Sequence, residues 1–311
     1  MEYSEFISEI LQTVSEKMGQ DYQVTSKRVL RYNSVVLYSL VIEGDGHHIT
    51  PSIYLESFYQ KFLTGRSIPS IADEIIKTYR HYVSEGEKNI SVCLEPEVIR
   101  ENIIYRLINY EKNSELLEDT CHVRVNDLAV VFFYCVSDNS EGISSIRMTK
   151  SLCERFGIRE EELLQLARTN TEKRFPAVIR PIAEILTEML DKRTGDDGKH
   201  REDIDALRAA LRTGEPAMYV LSNDKGLNGA TCLLYDGIME KCREKLGDSF
   251  YILPSSIHEV ILVPDTDNVS EEGFEDMIRT VNATEVSAED FLSDTLYRYP
   301  EDSFTIDMQD F

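Results

Sequence analysis

The chain has 311 residues, with 56 Asp+Glu against 33 Lys+Arg, a formal net charge of −23, six Cys, six His and no Trp. Its 42% apolar and 29% charged residues are an ordinary globular composition, with enough recurring Ile, Leu, Val and Phe to exclude a disordered chain. No run approaches the roughly 18 apolar residues that span a bilayer; the longest, Leu128 to Val136, is half that.

The elements follow in chain order. Tyr3, Phe6, Ile7, Ile10, Leu11, Val14 and Met18 recur at three- and four-residue spacing, which predicts a helix stopped at Gly19. Tyr22–Leu30 and Val35–Ile42 read as a hairpin turned by Tyr32-Asn33-Ser34. Glu43-Gly44-Asp45-Gly46 reads as a loop. Ile53 to Phe62 carries an apolar, aromatic helical face ending at Gly65. Ile68 to Val83 predicts a further helix, and Val98 to Ile108 another, entered through Pro96. Leu128–Val136 is a buried strand. Leu152–Leu166 holds one or two helices broken near Gly157, and Arg180-Pro181 opens the next. Residues 191–200 have no apolar side chain and read as a linker or exposed loop. Ile204, Leu207 and Leu211 mark a short surface helix.

The final third is strongly patterned. Ala217–Leu221 is a strand, Asn223-Asp224-Lys225-Gly226 a turn, and Gly229–Leu246 largely helical with an irregularity at Asp236-Gly237. Phe250–Leu253 and Glu259–Val263 are strands joined by residues 254–258. Ser270 caps a helix carrying Phe274, Met277, Ile278 and Val281. Ser287-Ala288-Glu289-Asp290 has the form of a capping box for a short last helix, and Leu296–Tyr299 and Phe304–Ile306 are candidate terminal strands. Helices mixed with hairpin-like neighbours predict an α+β fold with mainly antiparallel sheet, in two subdomains over 1–115 and 116–311. A doubly wound parallel sheet is the alternative, and regular βαβ alternation is lacking.

Charge and cysteines bound the surroundings. Residues 1–214 contribute −8, while residues 246–311 hold 16 acids against only Arg279 and Arg298, or −14. Such a segment repels phosphate backbones, so direct nucleic-acid binding is not expected. Met1-Glu2-Tyr3-Ser4-Glu5 offers neither a basic nor an apolar leader region, so a secretory signal is not expected. Cys93, Cys121, Cys135, Cys153, Cys232 and Cys242 sit mostly in apolar periodic segments without C-x-x-C spacing. That pattern predicts reduced, buried thiols in a cytoplasmic protein rather than a disulfide framework or a zinc site.

Four segments could carry chemistry. Ser255, Ser256, His258 and Glu259 place two hydroxyls, an imidazole and a carboxylate within five residues. With Asn223 they are candidates for a hydrolytic or ligand-binding pocket. The plainer reading is a tight strand connection, its hydroxyls bonded to local backbone and His258 paired with Glu259 or a carbonyl. Asn223 to Ala230 is a glycine loop before a helix, but it matches neither phosphate-binding motif and reads as a turn with Asn228 capping. Gly46-His47-His48 and Cys121-His122 lack metal-ligand spacing. The acids Asp265, Asp267, Glu271, Glu272, Glu275 and Asp276 fail the calcium-loop pattern, with Ser270 at its glycine position and Asp276 at its glutamate position. No cofactor and no metal are expected.

The Tyr219–Pro264 segment, with Ile252–Pro264 (ILPSSIHEVILVP) at its end and Val281–Val286 beyond, resembles an uncharacterised family of anaerobic gut bacteria catalogued as a domain of unknown function. The resemblance extends through Ile49–Leu55, Leu128–Phe132 and Ala167–Thr171, and so over most of the chain. A fainter likeness is to YtpQ-type bacterial proteins. The resemblance implies a bacterial, cytosolic origin and supplies no reaction or functional residue. The expectation is therefore a non-enzymatic binding or regulatory protein whose acidic C-terminal surface engages a basic protein partner. It would not act at a membrane, and its oligomeric state is open.

Overall fold

A computed structural model describes residues 1–44, 51–89, 96–139, 142–194, 217–254, 256–266, 270–302 and 304–306. The chain divides into two compact units, Met1–Ile99 and Arg100–Phe311.

In the first unit, α1 (Tyr3–Met18) buries Phe6, Ile7, Ile10 and Val14 at the expected spacing. It ends at Gly19, whose φ of +88° a residue with a side chain rarely adopts. The hairpin is present: β1 (Tyr22–Leu30) pairs antiparallel with β2 (Val36–Gly44) from Tyr22↔Gly44 to Leu30↔Val36. Asn33 and Ser34 take φ near +56° and +59° in the turn. The helical face expected from Ile53 is shorter than its apolar pattern. Ser52–Tyr54 form an edge strand β3 on β2, and α2 (Glu56–Leu63) starts after it. At the helix start the Glu56 carboxylate accepts two tertiary partners, the Tyr38 N–H and the Tyr3 hydroxyl, both at 2.8 Å. Helix α3 (Ile68–Asn89) closes a core in which Phe6, Ile10, Leu40, Ile42, Ile71 and Ile75 meet.

The division at 99/100 falls within α4 (Pro96–Glu101), ahead of residue 115, because the next segment is a strand of the second unit. Residues 98–108 are not the single helix that their spacing predicts. Ile103–Asn109 is β4, paired with Leu128–Tyr134 of β6 (Leu128–Asn139). Ile103, Ile104, Tyr105, Leu107 and Ile108 are all buried, so both faces of the strand are covered. A continuous apolar run of that kind does not alternate and is easily mistaken for helical periodicity. A short α5 (Ser114–Leu117) leads to β5 (His122–Val125), and β7 (Gly142–Arg147) follows β6. β4 lies on one side of β6, and both β5 and β7 pair with it. The break at Gly157 separates α6 (Lys150–Phe156) from α7 (Glu160–Arg174), as expected. Helix α7 is tied to β4 where Thr171 Oγ1 accepts the Tyr105 N–H at 3.0 Å and Asn170 donates to the Ile103 carbonyl at 3.0 Å.

A five-stranded sheet completes the unit, in the order β12-β10-β11-β9-β8. Its members are β8 (Ala177–Pro181), β9 (Tyr219–Asn223), β10 (Phe250–Pro254), β11 (Val260–Pro264) and β12 (Tyr297–Tyr299). Every strand pairing among the described residues is antiparallel, so the fold is α+β. Pro181 ends β8 and immediately precedes α8 (Ile182–Thr194) instead of opening its first turn. The helical stretch after Gly229 is a 3-10 helix (Gly229–Leu234) and then α9 (Ile238–Leu246), broken by left-handed Gly237. Helix α10 (Glu271–Thr284) packs Phe274 and Ile278 on Tyr251, Leu253 and Val263 of the sheet, with Ser270 Oγ accepting the Gly273 N–H. The expected last helix at Ser287 is only a turn. Ser287 Oγ accepts the Asp290 N–H and donates to its carboxylate, but the chain then runs extended toward β12. Residues 304–306 form no strand. The expected helix at 204–211 and most of the expected linker lie outside the described residues.

Candidate functional site

The sequence candidates converge where the β10–β11 connection meets the turn after β9. Pro254 ends β10 and Val260 opens β11, so residues 255–259 must reverse the chain tightly. The Ser256 N–H donates to the Glu259 carbonyl at 3.2 Å, and the His258 N–H donates to Ser256 Oγ at 3.0 Å. The Ser256 oxygen is thus a turn acceptor, as the plainer reading expected. Ser255 lies outside the described residues.

His258 is held from two sides. The Asn228 N–H donates to Nδ1 at 3.1 Å, and Nε2 lies 3.2 Å from Asp290 Oδ1. A ring nitrogen that accepts a backbone N–H carries no proton of its own, so the proton sits on Nε2 and is donated to Asp290. Sequence reasoning offered Glu259 or a carbonyl as the partner. The observed partner is Asp290, 32 residues away, itself oriented by Ser287 Oγ at 2.7 Å. A nucleophile–base pair needs one ring nitrogen on the orienting carboxylate and the other facing a hydroxyl. Here the second nitrogen faces a main-chain N–H, so as placed the imidazole has no lone pair left for a hydroxyl proton. With 29% of its side chain exposed it sits at the rim of the fold.

The turn after β9 is built around Asn223. Its side-chain oxygen accepts the Lys225 N–H at 3.0 Å and its amide donates to the Leu227 carbonyl at 2.8 Å. Gly226 and Asn228 take positive φ, +65° and +54°. The Asn223 side chain is therefore occupied in shaping the turn. Gly229 is where the two segments press closest. A Cβ there would lie 2.1 Å from Ser222 Oγ, 2.4 Å from the His258 carbonyl oxygen and 2.8 Å from the Asn223 nitrogen. Ser222 Oγ donates to that same carbonyl at 2.7 Å.

Two features carry no sequence signal. Tyr105, 2% exposed, has a hydroxyl with no hydrogen-bond partner among the described residues. It lines a cavity of about 10 Å³, room for one water, with Thr171, Asn223, Asn228, Thr231 and Tyr235. Burial pushes its phenol up from the ordinary value. Asp127, in the tight turn between β5 and β6, accepts from Ser293 at 2.6 Å, Thr295 at 3.1 Å and Tyr297 at 2.5 Å. It anchors the segment that leads into β12. The side-chain partners of Asp127 lie 166 to 170 residues away, so no local pattern marks it.

The remaining candidates separate. Cys121 and His122 point to different partners, Cys153 and the Thr120 carbonyl. Residues 46–48 and Asp267 lie outside the described residues. Asp265 binds Ser249 Oγ at 2.9 Å and Arg298. Burial alone would raise its carboxyl, but these two partners outweigh it and hold it below the usual carboxylate range. Glu271 accepts from Tyr251 at 3.0 Å, and Arg279 pairs with Glu275 and Asp276. No helix among the described residues is long and apolar enough to cross a membrane.

Fold and site together define an antiparallel α+β protein in which His258 bridges the Asn228 N–H and the Asp290 carboxylate. The chain belongs to the family of unknown function DUF5688, whose model matches residues 3–301. No curated protein and no solved structure matches it.

Proposed function

We propose that this is a non-enzymatic cytoplasmic binding or regulatory protein that engages a basic protein partner through its acidic C-terminal surface. One observation carries the reading. Both basic residues after position 246 are already matched within the segment, Arg279 by Glu275 and Asp276, Arg298 by Asp265, Glu271 and Glu301. The segment holds no further Lys or Arg for its other carboxylates. Helix α10 turns Phe274 and Ile278 inward and its acids outward, with Asp276 73% exposed and Met277 42% exposed among them. An apolar contact ringed by acids suits a basic surface with an apolar centre, and charge complementarity speeds and orients encounter. The cytoplasmic setting is supported by five buried free thiols, Cys121, Cys135, Cys153, Cys232 and Cys242. Bacterial origin rests on the family resemblance.

The test is capture from the native host's lysate at low and at 0.5 M salt, with wild type beside the double variant Glu272→Lys/Asp276→Lys. A partner held by wild type, released by salt and not held by the variant is expected. A partner set indifferent to both salt and variant would sink the proposal.

A further inference from the structure

Cys121 and Cys153 are 32 residues apart, yet their sulfurs are 3.2 Å from each other. Their two segments are stitched on both sides of the contact. The Lys150 N–H donates to the Asp119 carbonyl at 3.0 Å, and the Cys121 N–H to the Met148 carbonyl at 3.1 Å. Thr120 and Thr149 form a β-bridge between them, and Thr149 also caps α6 by accepting the Leu152 N–H. Cys153 sits one turn into that helix, its N–H on the Thr149 carbonyl at 2.9 Å. The sulfurs are therefore held together by the fold, and closing to a bond needs an approach of only about 1.1 Å.

We propose that Cys121 and Cys153 are a redox-active dithiol that a small peroxide converts reversibly to a disulfide. Of the other described cysteines, Cys135 Sγ accepts from Arg174 at 3.1 Å and the Cys232 thiol faces the Ser222 carbonyl at 3.3 Å, while Cys242 is buried on α9. The pair is also asymmetric. The two thiols share one hydrogen bond that either S–H can donate; this contact holds Cys153 below its ordinary value against the effect of burial. In the proposed step Cys153 attacks. Its thiolate attacks one peroxide oxygen, the O–O bond breaks and hydroxide leaves, giving a sulfenic acid. The Cys121 sulfur then attacks Cys153, its proton leaves with the displaced hydroxyl as water, and the S–S bond forms. Two thiols lose two electrons and two protons, and the peroxide becomes two waters. Exposures of 0% and 3% exclude bulky disulfide oxidants, which is why a small peroxide is the co-reactant.

The experiment treats reduced full-length protein with one equivalent of hydrogen peroxide, blocks remaining thiols and maps unreduced tryptic peptides. The expected result is a mass lower by about 2 Da and a link between peptides 113–124 and 151–155. The linked protein should melt about 5 °C or more higher, reversed by dithiothreitol. In Cys121→Ser, oxidised and then unfolded in the presence of dimedone, an adduct should appear on Cys153. Both thiols recovered free, a link between other cysteines, or sulfinic acid without a link would overturn the proposal. The wild-type map decides even if the variant does not fold.

Discussion

Both ring nitrogens of His258 are spent on groups of the protein itself, and its proton position follows from that. Long-range nitrogen–proton NMR should find the Nε2-protonated tautomer, because the Asn228 N–H occupies Nδ1. The Nδ1-protonated form would mean that this bridge does not exist. His258→Ala should cost about 2 kcal/mol in urea unfolding, since it strands a backbone N–H and the Asp290 carboxylate. Gly229 is the tighter constraint. A methyl there meets Ser222 Oγ, the His258 carbonyl and the Asn223 nitrogen at once, two of them main-chain atoms. Gly229→Ala should therefore destabilise by about 2–3 kcal/mol, and a loss under about 0.5 kcal/mol would show that the two segments yield easily. Asp265 has a pH signature. Its folded value lies below its unfolded one, so the stability it lends is present above pH of about 4 and is lost as pH falls through the folded value. Asp265→Asn should be less stable than wild type at pH 7, and the gap should close at low pH.

Elements were legible where burial is one-sided. Helix α1 shows its stripe, the β1–β2 hairpin its turn residues, and α10 both its cap and its apolar spacing. β4 was hidden because both its faces are covered, which erases the alternation that marks a half-exposed strand. The 287–290 turn misled for another reason: its cap hydrogen bonds form, but the following residues lead into β12 instead of a helix. The candidate site was legible as a turn, Ser256 and Asn223 included. The Asp290 and Asp127 contacts were not, because tertiary partners 32 to 170 residues apart leave no local pattern. Helix α10 offers an internal comparison of inward and outward positions. Phe274, 7% exposed on the sheet, should cost about 3 kcal/mol as Phe274→Ala, whereas Met277→Ala should stay within about 0.5 kcal/mol in the same unfolding assay. Equal losses would mean that Met277 is covered in the free protein.

Over the whole molecule the net charge of −23 is distributed as −8 over residues 1–214 and −15 over the rest. Self-repulsion among like charges opposes the folded state, and salt screens it over about 10 Å at 0.1 M. Salt also weakens attractive pairs such as Lys225–Asp138 and Arg298–Asp265. In each pair the carboxylate is largely buried, Asp138 13% and Asp265 20% exposed, so salt screens them less than it screens exposed charges. In the last 66 residues two bases face 16 acids, so repulsive pairs outnumber attractive ones there and should decide the sign. Raising NaCl from 0.02 to 0.5 M should therefore raise Tm by a few degrees. Neutralising unmatched acids with Glu272→Gln and Glu285→Gln should raise Tm at low salt and shrink the salt response. A basic partner would meet the same field, so its binding should weaken over the range in which the free protein becomes more stable. If salt lowers Tm instead, the acids are balanced by attractive pairs, and the surface offers a partner no electrostatic surplus.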